Sequence, residues 1–157
     1  MDSSQIERLH AQLVEHLRQD NLLDNASVDA AFSAVPRHLF LPNFSLEQVY
    51  ADEAIALKVG ASGEVLSSSS QPTMMAIMLQ QASLQAGMNV LEIGTASGYN
   101  AAIIKHIVGQ NGRVTSLEID HDLAQEAENH LVDAGFPDVR VVNIDAVTGY
   151  APRAQYD

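Results

Sequence analysis

The chain has 157 residues, 46% of them apolar, enough for one domain with a real hydrophobic core, with or without an appendage. A formal net charge of -12 repels phosphate backbones and anionic membranes on average, so nucleic acid is a poor first partner. Cysteine is absent, which excludes disulfides and thiolate metal sites; with no basic n-region leading into an apolar h-region and no run approaching a membrane span, a cytoplasmic protein away from membranes is expected.

Ser4 and Glu7 form a candidate capping box, and Ile6, Leu9, Leu13 and Leu17 follow at helical spacing, which predicts an amphipathic first helix. Ser27 is the expected cap of a short second helix with an apolar stripe of Val28, Ala31, Phe32 and Val35, stopped by Pro36. Val35 to Pro42 reads as an extended, proline-bracketed segment. Between Phe44 and Gly63 periodicity is weak, apart from an expected short strand over Ala54 to Val59, closed by Gly60.

The run Ser67-Ser68-Ser69-Ser70-Gln71-Pro72 has the composition of a flexible linker. Its setting suggests a different role, since Ser70 can cap a helix that Pro72 helps to start. Met74, Met75, Met78, Leu79 and Ala82 are that helix's expected buried stripe, and a methionine stripe at this spacing reads as core rather than a cofactor box.

A strand follows at Val90-Leu91-Glu92-Ile93, then the turn Gly94-Thr95-Ala96-Ser97-Gly98, then a helix carrying Ala101, Ala102, Ile103, Ile107 and Val108. Arg113 to Glu118 is a second strand, Asp122 to Ala134 a helix, and Val139 to Ile144 a third strand. Strand, helix, strand, helix, strand is the order that right-handed crossovers turn into a parallel sheet.

In such a sheet, ligands bind beyond the carboxyl ends of the strands, and Glu92, Glu118 and Asp145 lie at or near those ends. Three acids in succession suit a ligand that offers hydroxyls, an amine or positive charge. A dinucleotide is the first rival, because an acid about 20 residues beyond a glycine turn is also its mark. That fingerprint wants a middle glycine where backbone meets pyrophosphate, and this turn has Ala96 there. A Walker-type loop fails, since no Gly-Lys-Ser/Thr follows. S-adenosylmethionine fits better, being cationic and free of phosphate. Glu118 would accept from its ribose hydroxyls, Asp145 would meet the adenine amine, and Glu92 with the Gly94 backbone would line the methionine end. For Asp145 a turn cap, and for Glu92 a strand-end acid satisfied locally, are the competing readings.

Val35-Pro36-Arg37-His38-Leu39-Phe40, Tyr50-Ala51-Asp52, Ser70-Gln71-Pro72, LEIGTASGYN, and the acids Glu118 and Asp145 with Gly149 together resemble the protein-L-isoaspartate O-methyltransferase family, in order and through nearly the whole chain. The resemblance implies a Rossmann-like α/β methyltransferase core and methyl transfer from S-adenosylmethionine to an isoaspartyl carboxylate in protein or peptide, the start of repair of aged protein. By similarity Ser70 is the active-site serine, and the cofactor-binding set is Ser67, Ser68, Ser69, Glu92, Gly94, Gly98, Glu118, Asp145 and Ala146. A carboxylate nucleophile is already ionised near neutral pH, so orientation rather than a strong base is needed. Ser70 at a helix N-terminus is expected to orient that carboxylate rather than attack, since no histidine partner is identifiable. The histidines show no metal-ligand spacing, and no metal is expected.

The sequence departs from the family pattern at Ala96, Ile144 and Ala146, where glycines are common, and in its four-serine run, which resembles relatives that esterify an aspartate during peptide natural-product maturation. Family members also continue beyond Tyr156-Asp157, which reads as the start of a fourth strand. The expected organisation is an N-terminal helical and extended segment, residues 1-66, and a partial Rossmann-like core, residues 67-157. An incomplete sheet would expose an edge that invites self-association, and a cofactor-binding remnant without turnover is a further alternative.

Overall fold

In the computed structural model, which describes residues 3–157, the N-terminal apolar stripe folds as α1 (Ser3–Gln19), burying Leu13, Val14 and Leu17. The structure divides into two units, Met1–Ser83 and Leu84–Asp157. Among the described residues no helix is long and apolar enough to cross a membrane.

In the first unit, α2 (Ala26–Ala34) starts two residues earlier than the Ser27 cap requires. Asn25 is the N-cap instead, its side-chain oxygen accepting from Ser27 N at 2.9 Å and Val28 N at 3.4 Å. The segment after Pro36 is not extended but a 3-10 turn, Arg37–Phe40, wound tightly enough to bury Arg37, Phe40 and the following Leu41. A one-turn helix, α3 (Leu46–Val49), falls where periodicity was weak; its signal is the capping box between Ser45 and Gln48.

The serine run is neither linker nor cap. It is the end of a strand, β2 (Val65–Ser69), paired antiparallel with β1 (Ile55–Val59), with Ile55 opposite Ser69 and Ala56 opposite Ser68. Helix α4 (Pro72–Ala82) is preceded by Gln71, which makes no side-chain cap. Its buried stripe is Pro72, Met75, Ala76 and Leu79, so Met74 and Met78 stand 48% exposed and Ala82 is exposed on the other face. The i, i+3, i+4, i+7 period holds, shifted by the position of Pro72.

The second unit alternates as expected: β3 (Asn89–Ile93), α5 (Tyr99–Val108), β4 (Arg113–Glu118), α6 (His121–Asp133) and β5 (Arg140–Asn143). Its sheet is parallel in the order β3-β4-β5, with Glu92 beside Ser116 and Glu118 beside Asn143 in register. The central strand β4 buries Val114 and Leu117 completely or nearly so, and Thr115 and Ser116 with them. Asp120 caps α6 by accepting from Asp122 N and Leu123 N, both at 3.1 Å. Beside β3, Asp157 N donates to Asn89 O at 3.0 Å.

Candidate functional site

The parallel register carries Glu92 and Glu118 to the carboxyl ends of neighbouring strands, and the turn between β3 and α5 folds over them. Gly94 and Gly98 adopt φ of +87° and +88°, conformations that side chains rarely take. Ala96 adopts φ +50° despite its Cβ. Around Gly94 an added Cβ would meet nothing within 4 Å, whereas at Gly98 it would lie 3.2 Å from Leu131 Cγ and 3.3 Å from Ala127 O. Gly94 therefore leaves open space at the strand end, and Gly98 allows α6 to approach the start of α5.

Glu118, 6% exposed, accepts from Ala96 N at 2.9 Å through one carboxylate oxygen and from Asp120 N at 3.1 Å through the other. Glu92, 8% exposed, accepts from Asn100 Nδ2 at 2.7 Å and from the Ser116 hydroxyl, which also meets Thr95 Oγ1 at 2.6 Å. Burial pushes the Glu92 carboxyl up to about 7; the Ser116 and Asn100 hydrogen bonds oppose that rise and the charge of Glu118 adds to it. Asn100 Oδ1 is buried with no hydrogen-bond partner, an acceptor left over beside the acid.

Asp145 lies two residues past the end of β5: Ile144 N donates to Glu118 O at 2.9 Å, and Asn143 Nδ2 donates to the same carbonyl at the same distance. The Asp145 side chain is exposed and caps the next turn, accepting from Val147 N at 3.0 Å, with Ala146 in that turn. Its capping reading is thus realised, and its carboxylate keeps further lone pairs. Thr95, Asn100 and Ser116 escaped the sequence reading. Their signal is polarity inside apolar elements, clearest in Thr115-Ser116 at the middle of a buried strand.

The serines belong to the first unit. Ser67 and Ser68 are half-buried on β2, and Ser69 is buried, with its hydroxyl accepting from Arg37 Nη2 at 3.4 Å. Ser70 is exposed, and its carbonyl accepts from Arg37 Nη2 at 2.9 Å. The amide of Thr73 at the start of α4 is already taken by Asp52 Oδ1 at 2.8 Å, so the helix N-terminus near Ser70 carries an anion of the chain's own.

Over residues 7–157 the sequence matches the family described as protein-L-isoaspartate(D-aspartate) O-methyltransferase. The chain belongs to that family. It is 38% identical over 158 residues to the protein-L-isoaspartate O-methyltransferase of Thermococcus sibiricus, covering 100% of this chain and 68% of the relative. A solved protein-L-isoaspartate O-methyltransferase superposes with a TM-score of 0.84 at 32% identity, over 94% of this chain and 46% of that one. A Plasmodium falciparum chain solved in complex with S-adenosyl-L-homocysteine has a TM-score of 0.75 at 18% identity, over 92% of this chain and 66% of that one, and speaks for the fold alone. The chain thus spans about two thirds of that curated relative and less than half of the first solved chain. The parallel sheet expected from the strand order and the Rossmann-like methyltransferase fold implied by the resemblance are the fold observed, and the family's cofactor is S-adenosylmethionine. The natural-product and remnant alternatives are not favoured by these likenesses.

Proposed function

We propose that the chain transfers a methyl group from S-adenosylmethionine to the carboxylate of an isoaspartyl residue in a protein or peptide. The observation that carries this reading is the pair Glu92 and Glu118, buried at adjacent parallel strand ends under a left-handed glycine turn. Acceptors outnumber donors there, the unpartnered Asn100 Oδ1 included, which suits a cationic ligand rich in hydroxyl and amine donors and opposes a pyrophosphate. When bound, S-adenosylmethionine supplies a methyl group on a positively charged sulfur.

In this reading Glu118 uses its remaining lone pairs on the ribose hydroxyls, while Glu92 and the Gly94 and Gly98 turn line the methionine end. Asp145 and Ala146 face the adenine side, where Ile119, 70% exposed, offers apolar surface to a purine. By the family resemblance Ser67, Ser68 and Ser69 are assigned to the cofactor and Ser70 to orienting the substrate carboxylate. That carboxylate is ionised near neutral pH, so these side chains need only align it and keep water away.

The test is methyl transfer from labelled S-adenosylmethionine to an isoaspartyl peptide and to the same peptide with ordinary aspartate. Label in a base-labile ester on the isoaspartyl peptide alone is expected. Label on both peptides, or on neither, contradicts the reading.

A further inference from the structure

Arg37 is fully buried, and its guanidinium reaches two separate stretches of the first unit. Nη1 donates to Val49 O at 3.1 Å and Ala51 O at 3.2 Å; Nη2 donates to Glu53 O at 3.2 Å, and also to Ser69 Oγ and the Ser70 carbonyl. The rigid planar fork of arginine can serve this many acceptors at once, as a lysine ammonium on a flexible stem cannot.

Between the two carbonyls of Ala51 and Glu53 stands Asp52, and its side chain works in the other direction along the chain. Oδ1 accepts from Thr73 N at 2.8 Å, while Oδ2 accepts from Thr73 Oγ1 at 2.8 Å and from Gln71 Nε2 at 3.0 Å, with His16 Nε2 3.7 Å away. Burial raises the Asp52 carboxyl, but the hydrogen bonds from Thr73 and Gln71 and the nearby His16 together outweigh it and hold the group below its ordinary value. The carboxylate therefore stays charged and stands in for the missing side-chain cap of α4.

One three-residue turn thus grips the chain on both sides of Ser70: upstream and at its carbonyl through Arg37, downstream at Gln71 and Thr73 through Asp52. Ser70 itself is left exposed between the two grips. We infer that Arg37 and Asp52 are positioning residues, which act through Ser70 by fixing the backbone that presents its hydroxyl to the substrate carboxylate. The inference rests on the role proposed above for Ser70. A misplacement of about 1 Å in such a group can cost about a hundredfold in rate.

The test is a double-mutant cycle of Asp52→Ala with Ser70→Ala, read as kcat and KM for an isoaspartyl peptide, with hydrogen exchange of the residue 69–74 amides alongside. Asp52→Ala is expected to lower kcat about 10- to 100-fold and to speed exchange at residues 69–74 without speeding it at the Gly94 to Gly98 turn. In the Ser70→Ala background the same change should cost nothing further in kcat. Arg37→Lys should reproduce the pattern; where it fails to fold, Asp52→Ala decides alone. Independent, multiplying losses, an unchanged kcat, or unchanged exchange overturn the inference. A parent chain that transfers no methyl to the isoaspartyl peptide sinks the proposed function, and the exchange result still decides whether Asp52 fixes the Ser70 segment.

Discussion

Ala96 N donates to Glu118 Oε2 at 2.9 Å, so the acid that ends β4 is fastened to the turn that leaves β3. The other Glu118 oxygen holds the Asp120 amide at the head of α6, and one buried carboxylate therefore ties two connections together. Replacing it with glutamine leaves one of those two amides facing an NH2 group. Glu118→Gln should cost about 1–3 kcal/mol of stability, measured by urea unfolding. An unchanged midpoint would show that neither amide depends on the carboxylate.

Ala96 holds φ +50° where a glycine would rest without strain. Ala96→Gly should stabilise the chain by about 1 kcal/mol, because relief of the left-handed strain exceeds the entropy that glycine adds to the unfolded state. Equilibrium unfolding reads the difference, and a loss of stability would mean that the Cβ packs more than it strains.

Gly94 and Gly98 share one backbone conformation and differ in surroundings. Alanine at Gly98 meets both strain and the Leu131 and Ala127 atoms of α6, and should cost more than 2 kcal/mol; at Gly94 it meets strain alone, about 1–2 kcal/mol. Side-by-side thermal and urea melts of the two variants check the order, and equal losses would contradict the close approach at Gly98.

Glu92 gives the fold a pH dependence of definite sign. Its carboxyl titrates near 4.5 in the unfolded chain and at about 7 when folded, so the native state holds the proton longer. Its contribution is fully present below pH 4.5 and is lost as pH rises to 7, a change on the order of 3 kcal/mol. Glu92→Gln should flatten that slope in unfolding midpoints taken between pH 4.5 and 7.5, and an unaltered slope would assign it elsewhere. A cationic donor beside Glu92 would favour its ionised form, so cofactor binding near pH 7 should release a proton, visible as a buffer-dependent heat.

The second unit was legible in the sequence because its elements are periodic and its strands short. Arg113 to Glu118 is the strand expected residue for residue, and α6 buries the expected Leu123, Ala127 and Leu131. The first unit was less so. Serines carry no alternating apolar pattern, and β2 exists because a hairpin partner and Arg37 supply the pairing that its own side chains do not announce. The α4 stripe differs from the expected one because the small Pro72 and Ala76 take the packed positions, leaving Met74 and Met78 on the exposed side. At the site, acids at strand ends could be read from topology, whereas the supports of Glu92 are marked only by polar residues within apolar elements. Asn100 and Ser116 look like surface positions until the neighbouring strand is in place.

The measurement that bears most directly on the account is calorimetric titration of S-adenosylmethionine into the parent chain and into Glu118→Gln at a temperature where both are folded. Saturable one-site binding that weakens at least tenfold in the variant is the predicted result. Binding of equal strength in the two proteins, or none in the parent chain, would contradict the assignment of the strand-end acids as the holders of the methyl donor.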